Sequence, residues 1–197
     1  MVRRISLAAL LLLGATAAAE AHTGEGATHG FFQGVGHPLG GLDHILAMVT
    51  VGLFAARLGG RALWLVPGAF VAMMAFGGVL GMAGLGLPFA EIGIGLSVVV
   101  LGLVVALQAD MAAWAAMAMV GVFALFHGHG HGAEMPATAS GLEYGIGFVL
   151  ATALLHLGGV GLGLLASRGE GRFGRRVLQG AGGAVSVAGV AILAGLA

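Results

Sequence analysis

The sequence predicts an all-α integral membrane protein, a six-helix transmembrane bundle forming one domain behind a cleaved signal peptide. Three observations lead there. Of the 197 residues, 59% are hydrophobic and only 8% charged; a soluble domain carries roughly 25% charged residues, so the polar surface for a water-soluble fold is missing. Six apolar segments follow the N-terminal one, each bounded by a polar interruption. When those segments alternate in direction, every arginine between them falls on the same side. The balance of eight basic and eight acidic residues leaves no basic patch for nucleic acid. There is no lysine for a GxxxxGK[ST] phosphate loop and no cysteine for a disulfide or thiolate metal site. Polar chemistry therefore rests on His, Asp, Glu and Met.

Arg3 and Arg4 precede an apolar run from Ile5 to Ala18 that closes on Ala19-Glu20-Ala21. A positive start, a short apolar core and a small-x-small site read as a signal peptide spanning 1–21, with His22 as the mature N-terminus. The mature spans, taken between polar breaks, run at about 39–58, 63–85, 89–107, 111–126, 142–166 and 177–197. With His22 outside, the inner loops hold Arg57, Arg61, Arg168, Arg172, Arg175 and Arg176, and the outer ones hold no arginine. Trp64 and Trp114 fall at the inner interface and Tyr144 at the outer one, as aromatic belts require. The expected location is the bacterial inner membrane, multi-pass, with the mature N-terminus in the periplasm and lipid as the surrounding partner. The 39 glycines suit close helix packing, as at Gly77, Gly81 and Gly158.

No histidine falls on the arginine side. His22, His29 and His37 precede the first span, His44 lies just inside it, and His127, His129 and His131 follow the fourth. Imidazole is a ligand for Ni, Co, Cu and Zn, so the outer face has a metal-seeking character. The sharpest group is His37-Pro38-Leu39-Gly40-Gly41-Leu42-Asp43-His44. An ionisable residue inside a span is costly and marks function by default, which singles out Asp43 and His44. On one continuous helix His37 and His44 would stand roughly 10 Å apart along the axis, too far to share an ion. Pro38, Gly40 and Gly41 point instead to an irregular segment that could fold His37 back, or His37 and His44 are successive stations on one path; structural pairing of Asp43 and His44 with each other or with a neighbouring helix is the plainer alternative. In Phe126-His127-Gly128-His129-Gly130-His131-Gly132-Ala133-Glu134, a helix would place His127, His131 and Glu134 on one face and turn His129 away. Three interleaved glycines weaken that helix and make an extended loop its rival, in which the three histidines would line one side.

The His-x5-Asp-His and Phe-His-Gly-x-x-His-Gly-x-Glu runs, with the signal peptide and six spans, resemble the HupE/UreJ family of nickel permeases over essentially the whole chain. The resemblance implies uptake of Ni²⁺, and of Co²⁺ in some members, in support of hydrogenase or urease maturation proteins. Residue by residue it carries metal binding onto His37, Asp43 and His44 and onto His127, His131 and Glu134. Gly130 departs from the alanine or valine usual there, and His129 beside it is not a family residue. His22, His29 and His129 are further candidates for metal capture. Glu91, Glu143 and His156 are weaker candidates along the path, His156 being read mainly as hydrogen-bonded across helices. Met48, Met73 and Met74 read as packing. The function expected is a transition-metal permease, not an enzyme, with the transported ion as cargo and no fixed cofactor. The alternative is a membrane-embedded His/Asp metalloenzyme with Glu134 as its base, although no nucleophile motif accompanies it.

Overall fold

Inside a bilayer every backbone N–H and C=O must be satisfied within the protein, and helices do this segment by segment. The computed structural model describes residues 29–135, 140–168 and 172–196. Seven α-helices and no strand occur among them: α1 His29–Gly40, α2 Leu42–Leu58, α3 Ala62–Met82, α4 Ala90–Ala106, α5 Ala113–Ala133, α6 Gly141–Arg168 and α7 Arg172–Leu193. Four of these, α3, α5, α6 and α7, are long and apolar enough to cross a membrane, and α1 with α2 form a fifth such unit bent by 82°. Helix α4 is apolar but has 17 residues, a rise of about 26 Å against a hydrocarbon core of about 30 Å. The protein is thus a multi-pass helical membrane protein. The expected signal segment 1–21 and His22 lie outside the described residues, as does the side chain of His29.

Three helix boundaries differ most from the sequence expectation, one of them the start of α7, at Arg172 and not at 177. The first span was expected to open near Leu39 after an irregular stretch; instead the chain is helical from His29 and breaks at Gly41, whose φ of −95° and ψ of 119° are extended. Pro38 lies in the last turn of α1, and its ring and missing N–H oppose continuation. The fourth span was expected to end near Phe126, yet α5 continues to Ala133 and takes in the whole histidine-glycine run. Tertiary packing overrides the weak helix preference of those glycines. A Cβ at Gly128 would fall 2.9 Å from the Gly78 nitrogen, and one at Gly132 would fall 2.9 Å from the Gly78 carbonyl carbon. Only glycine lets α3 and α5 meet there backbone to backbone. Gly77 and Gly81 complete that contact from α3, as expected, while Gly158 faces open space and its neighbour Gly159 approaches Gly52 instead.

Helix α2 runs through the middle of the bundle and packs on α3, α4 and α6, with α3–α5 and α4–α7 as the other close pairs and α1 laid along α6. The core it organises includes the fully buried Met48, Phe54, Phe70, Met74 and Leu101. Trp64 and Trp114 are exposed in the first turns of α3 and α5, as a belt at one interface requires. Tyr144 departs from its expected place in the opposite belt: it is only 3% exposed and belongs to the site described below. At the arginine-bearing end, Arg57 donates Nε to Gln108 Oε1 at 3.2 Å and Nη2 to the Gln108 carbonyl at 3.1 Å. Its Nη1 pairs with Asp110 at 3.2 Å. The foot of α2 is thereby tied to the α4–α5 connection.

Candidate metal site

The break at Gly41 turns α1 so that His37 reaches the C-terminal end of α5. His37 Nε2 lies 2.9 Å from His131 Nδ1 and 3.2 Å from Glu134 Oε2, and His131 Nδ1 lies 3.6 Å from that same oxygen. These three donors form an outer set. Glu134 is exposed, and the unpaired carbonyls at the end of α5 add negative potential where a cation would arrive. His37 is therefore folded back as the proline and glycines suggested, but its partners stand on α5 and not at His44.

One step inward, His44, His127 and His131 form a second set, all buried, each offering a ring nitrogen within 4.8 Å of the others. An ion held by imidazoles at about 2.1 Å places its donors roughly 3–4 Å apart, so the set needs only small adjustment to close on one. The hydrogen bonds around it orient the rings. Ser97 Oγ donates to the Ile94 carbonyl at 2.6 Å, so at 2.7 Å it can only accept from His127 Nε2–H. Thr152 Oγ1 donates to Met74 Sδ at 3.6 Å and accepts from His44 Nε2–H at 3.1 Å. Both imidazoles then keep Nδ1 unprotonated, and Nδ1 of each is buried without a partner among the described residues, as is Nε2 of His131. Lone pairs held in place by a hydrogen bond at the opposite nitrogen are what a metal ligand requires. Phe148 walls the pair of sets, its ring centroid 5.1 Å from those of both His44 and His131. Tyr144 directs its hydroxyl to the His131 carbonyl at 3.5 Å.

The other predicted residues lie elsewhere. Asp43, grouped with His37 and His44 by the sequence, is in neither set; its Oδ1 accepts the His44 backbone N–H at 2.7 Å in the first turn of α2. There its charge complements the helix dipole. His129 Nε2 donates to the Leu85 carbonyl at 2.6 Å, so it points away from the other two histidines and ties α5 to the α3–α4 connection. Glu91 and Glu143 are exposed in the first turns of α4 and α6, outside both sets. His156, expected to hydrogen-bond across helices, has no partner for either nitrogen among the described residues. Sequence reasoning missed Ser97 and Thr152, whose one signal was a hydroxyl inside an otherwise apolar segment.

No solved structure matches this chain. The family model described as HupE / UreJ protein matches residues 10–192. A curated relative, Protein HupE of Rhizobium leguminosarum bv. viciae, is 49% identical over 190 residues, covering 96% of each chain. Both histidine motifs and their supporting hydroxyls lie inside the matched region, and the chain belongs to the HupE/UreJ family.

Proposed function

We propose that this protein is a permease that admits Ni²⁺, with Co²⁺ as a second cargo, from the periplasm to the cytoplasm across the bacterial inner membrane. In this reading a signal peptide is removed, α1 with α2 make the first of six spans, and the delivered metal supplies nickel enzymes such as hydrogenase or urease. The observation that carries the reading is the sharing of His131 between a wet outer set and a buried inner one. Its Nδ1 faces His37 and Glu134 while its Nε2 stays unpartnered among the described residues, so one ring can receive an ion from one set and present it to the next. Glu134 and His37 replace the first waters of the arriving ion, and the negative charge of Glu134 offsets part of its own. The inner imidazoles then replace further waters. Three ligands at each step leave coordination positions open, which keeps binding weak enough to pass the ion on. The family relationship supports metal uptake as the class of activity. The test is Ni²⁺ flux into proteoliposomes loaded with a chelating dye. We expect saturable flux from the purified protein that vanishes in His131→Ala; binding without flux would return the site to the metalloenzyme alternative.

A further inference from the structure

Among the described side chains, His156 is the one histidine that neither a donor set nor a hydrogen bond accounts for. It is 1% exposed, and both ring nitrogens are buried without a partner among the described residues. Buried polar groups are nearly always hydrogen-bonded, so a ring with two unsatisfied nitrogens asks for a ligand that is present only part of the time. Its position supplies one. Along α6, successive turns carry Tyr144 beside His131, Phe148 against His44 and His131, Thr152 on His44, and then His156. His156 is thus the next station along the same helix, one turn beyond the inner set and toward the Arg168 end. The facing side is α3, where Met74 takes the Thr152 hydroxyl hydrogen and Phe70, one turn away, holds its ring 5.2 Å from His156 and 5.8 Å from His127.

We propose that His156 is a third, deeper station that takes the divalent cation from the inner set, with its imidazole as the ligand and the Thr152 hydroxyl beside the route. The proposal rests on the permease reading. An imidazole there would lower the barrier of the bundle's middle, where the fully buried side chains are mainly apolar, Phe70, Met74 and Val66 among them. A merely structural ring would be replaceable, by Phe if it packs and by Gln if it hydrogen-bonds, whereas ligation is lost in both.

The experiment compares wild type, His156→Phe and His156→Gln in two measurements: equilibrium binding of radioactive Ni²⁺ to protein in detergent, and Ni²⁺ flux into proteoliposomes, each normalised to folded protein. We expect the tightest binding to stay within about twofold of wild type in both variants, because the outer and inner sets are untouched, while flux falls at least about tenfold in both. Near-normal flux in either variant overturns the station, and so does a loss of tight binding that parallels the loss of flux. Should one variant not insert, the other decides by the same two readouts. Absence of flux in the wild type would instead overturn the permease reading itself, and the station with it.

Discussion

At the scale of single residues, the two nitrogens of His131 make its removal unlike that of any neighbour, because it subtracts a ligand from both donor sets while His37 and His127 each serve one. His131→Ala should therefore weaken Ni²⁺ binding by more than either His37→Ala or His127→Ala, read by calorimetric titration of the purified protein. His129→Ala is the internal control. It loses a hydrogen bond to Leu85, worth about 1 kcal/mol, and should lower the melting temperature without weakening the metal affinity. The hydroxyls behind the inner set make a sharper prediction. Thr152→Val and Ser97→Ala keep nearly the same volume but remove the acceptors that hold His44 and His127 in their Nδ1-unprotonated forms. Each should cost about tenfold in metal affinity with no change in the ligands themselves. Unaltered affinity in both would mean that the rings are oriented by packing alone.

Helix α5 shows how one element's glycines divide between requirement and accident. A Cβ at Gly128 would run into the backbone of α3, whereas at Gly130 it would meet only the tip of Ile94, at 3.1 Å. Gly130→Ala should therefore raise the thermal stability of the detergent-solubilised protein, by up to about 1 kcal/mol of recovered helix preference. Gly128→Ala should separate α3 from α5 and lose both stability and metal binding. Equal behaviour of the two variants would contradict the packing. The same element marks how far the sequence could be read. The four-and-three spacing of His127, His131 and Glu134 survives because the first two lie on α5 and Glu134 is its C-cap, still in right-handed helical conformation, so that face follows from periodicity. That His37 completes the outer set across 94 residues depends on the turn at Gly41, and local spacing says only that His37 cannot share an ion with His44. Asp43 shows the same limit: an acid inside an apolar segment reads as a ligand, and the structure adds that the helix begins at Leu42, where the carboxylate also accepts the His44 backbone amide. The extended-loop alternative for the histidine-glycine run fails because Gly128 and Gly132 serve α3, a partner that no window of local sequence contains.

For the whole molecule, orientation decides whether the donor sets form an inlet or an outlet. The described ends sort by charge: Glu134, His37 and the start of α6 lie at one end, while Arg57, with its ties to Gln108 and Asp110, lies at the other with the exposed Arg172, Arg175 and Arg176. Positive residues stay preferentially on the cytoplasmic side, and the proposed uptake has the outer set facing the periplasm on that ground. The exposed Trp64 and Trp114, each a few residues from the arginine-bearing or acid-bearing turn that precedes its helix, fit an interface at that same end. Because the chain has no cysteine of its own, single introduced thiols report on each end without background. Ser140, beside the start of α6, and Ser167, near its finish, are both exposed positions where a cysteine changes little else. In intact spheroplasts a membrane-impermeant maleimide should label Ser140→Cys and leave Ser167→Cys unlabelled until the membrane is permeabilised. The reverse pattern would turn the Glu134 mouth toward the cytoplasm, and the same stations would then serve export of the metal instead of its uptake.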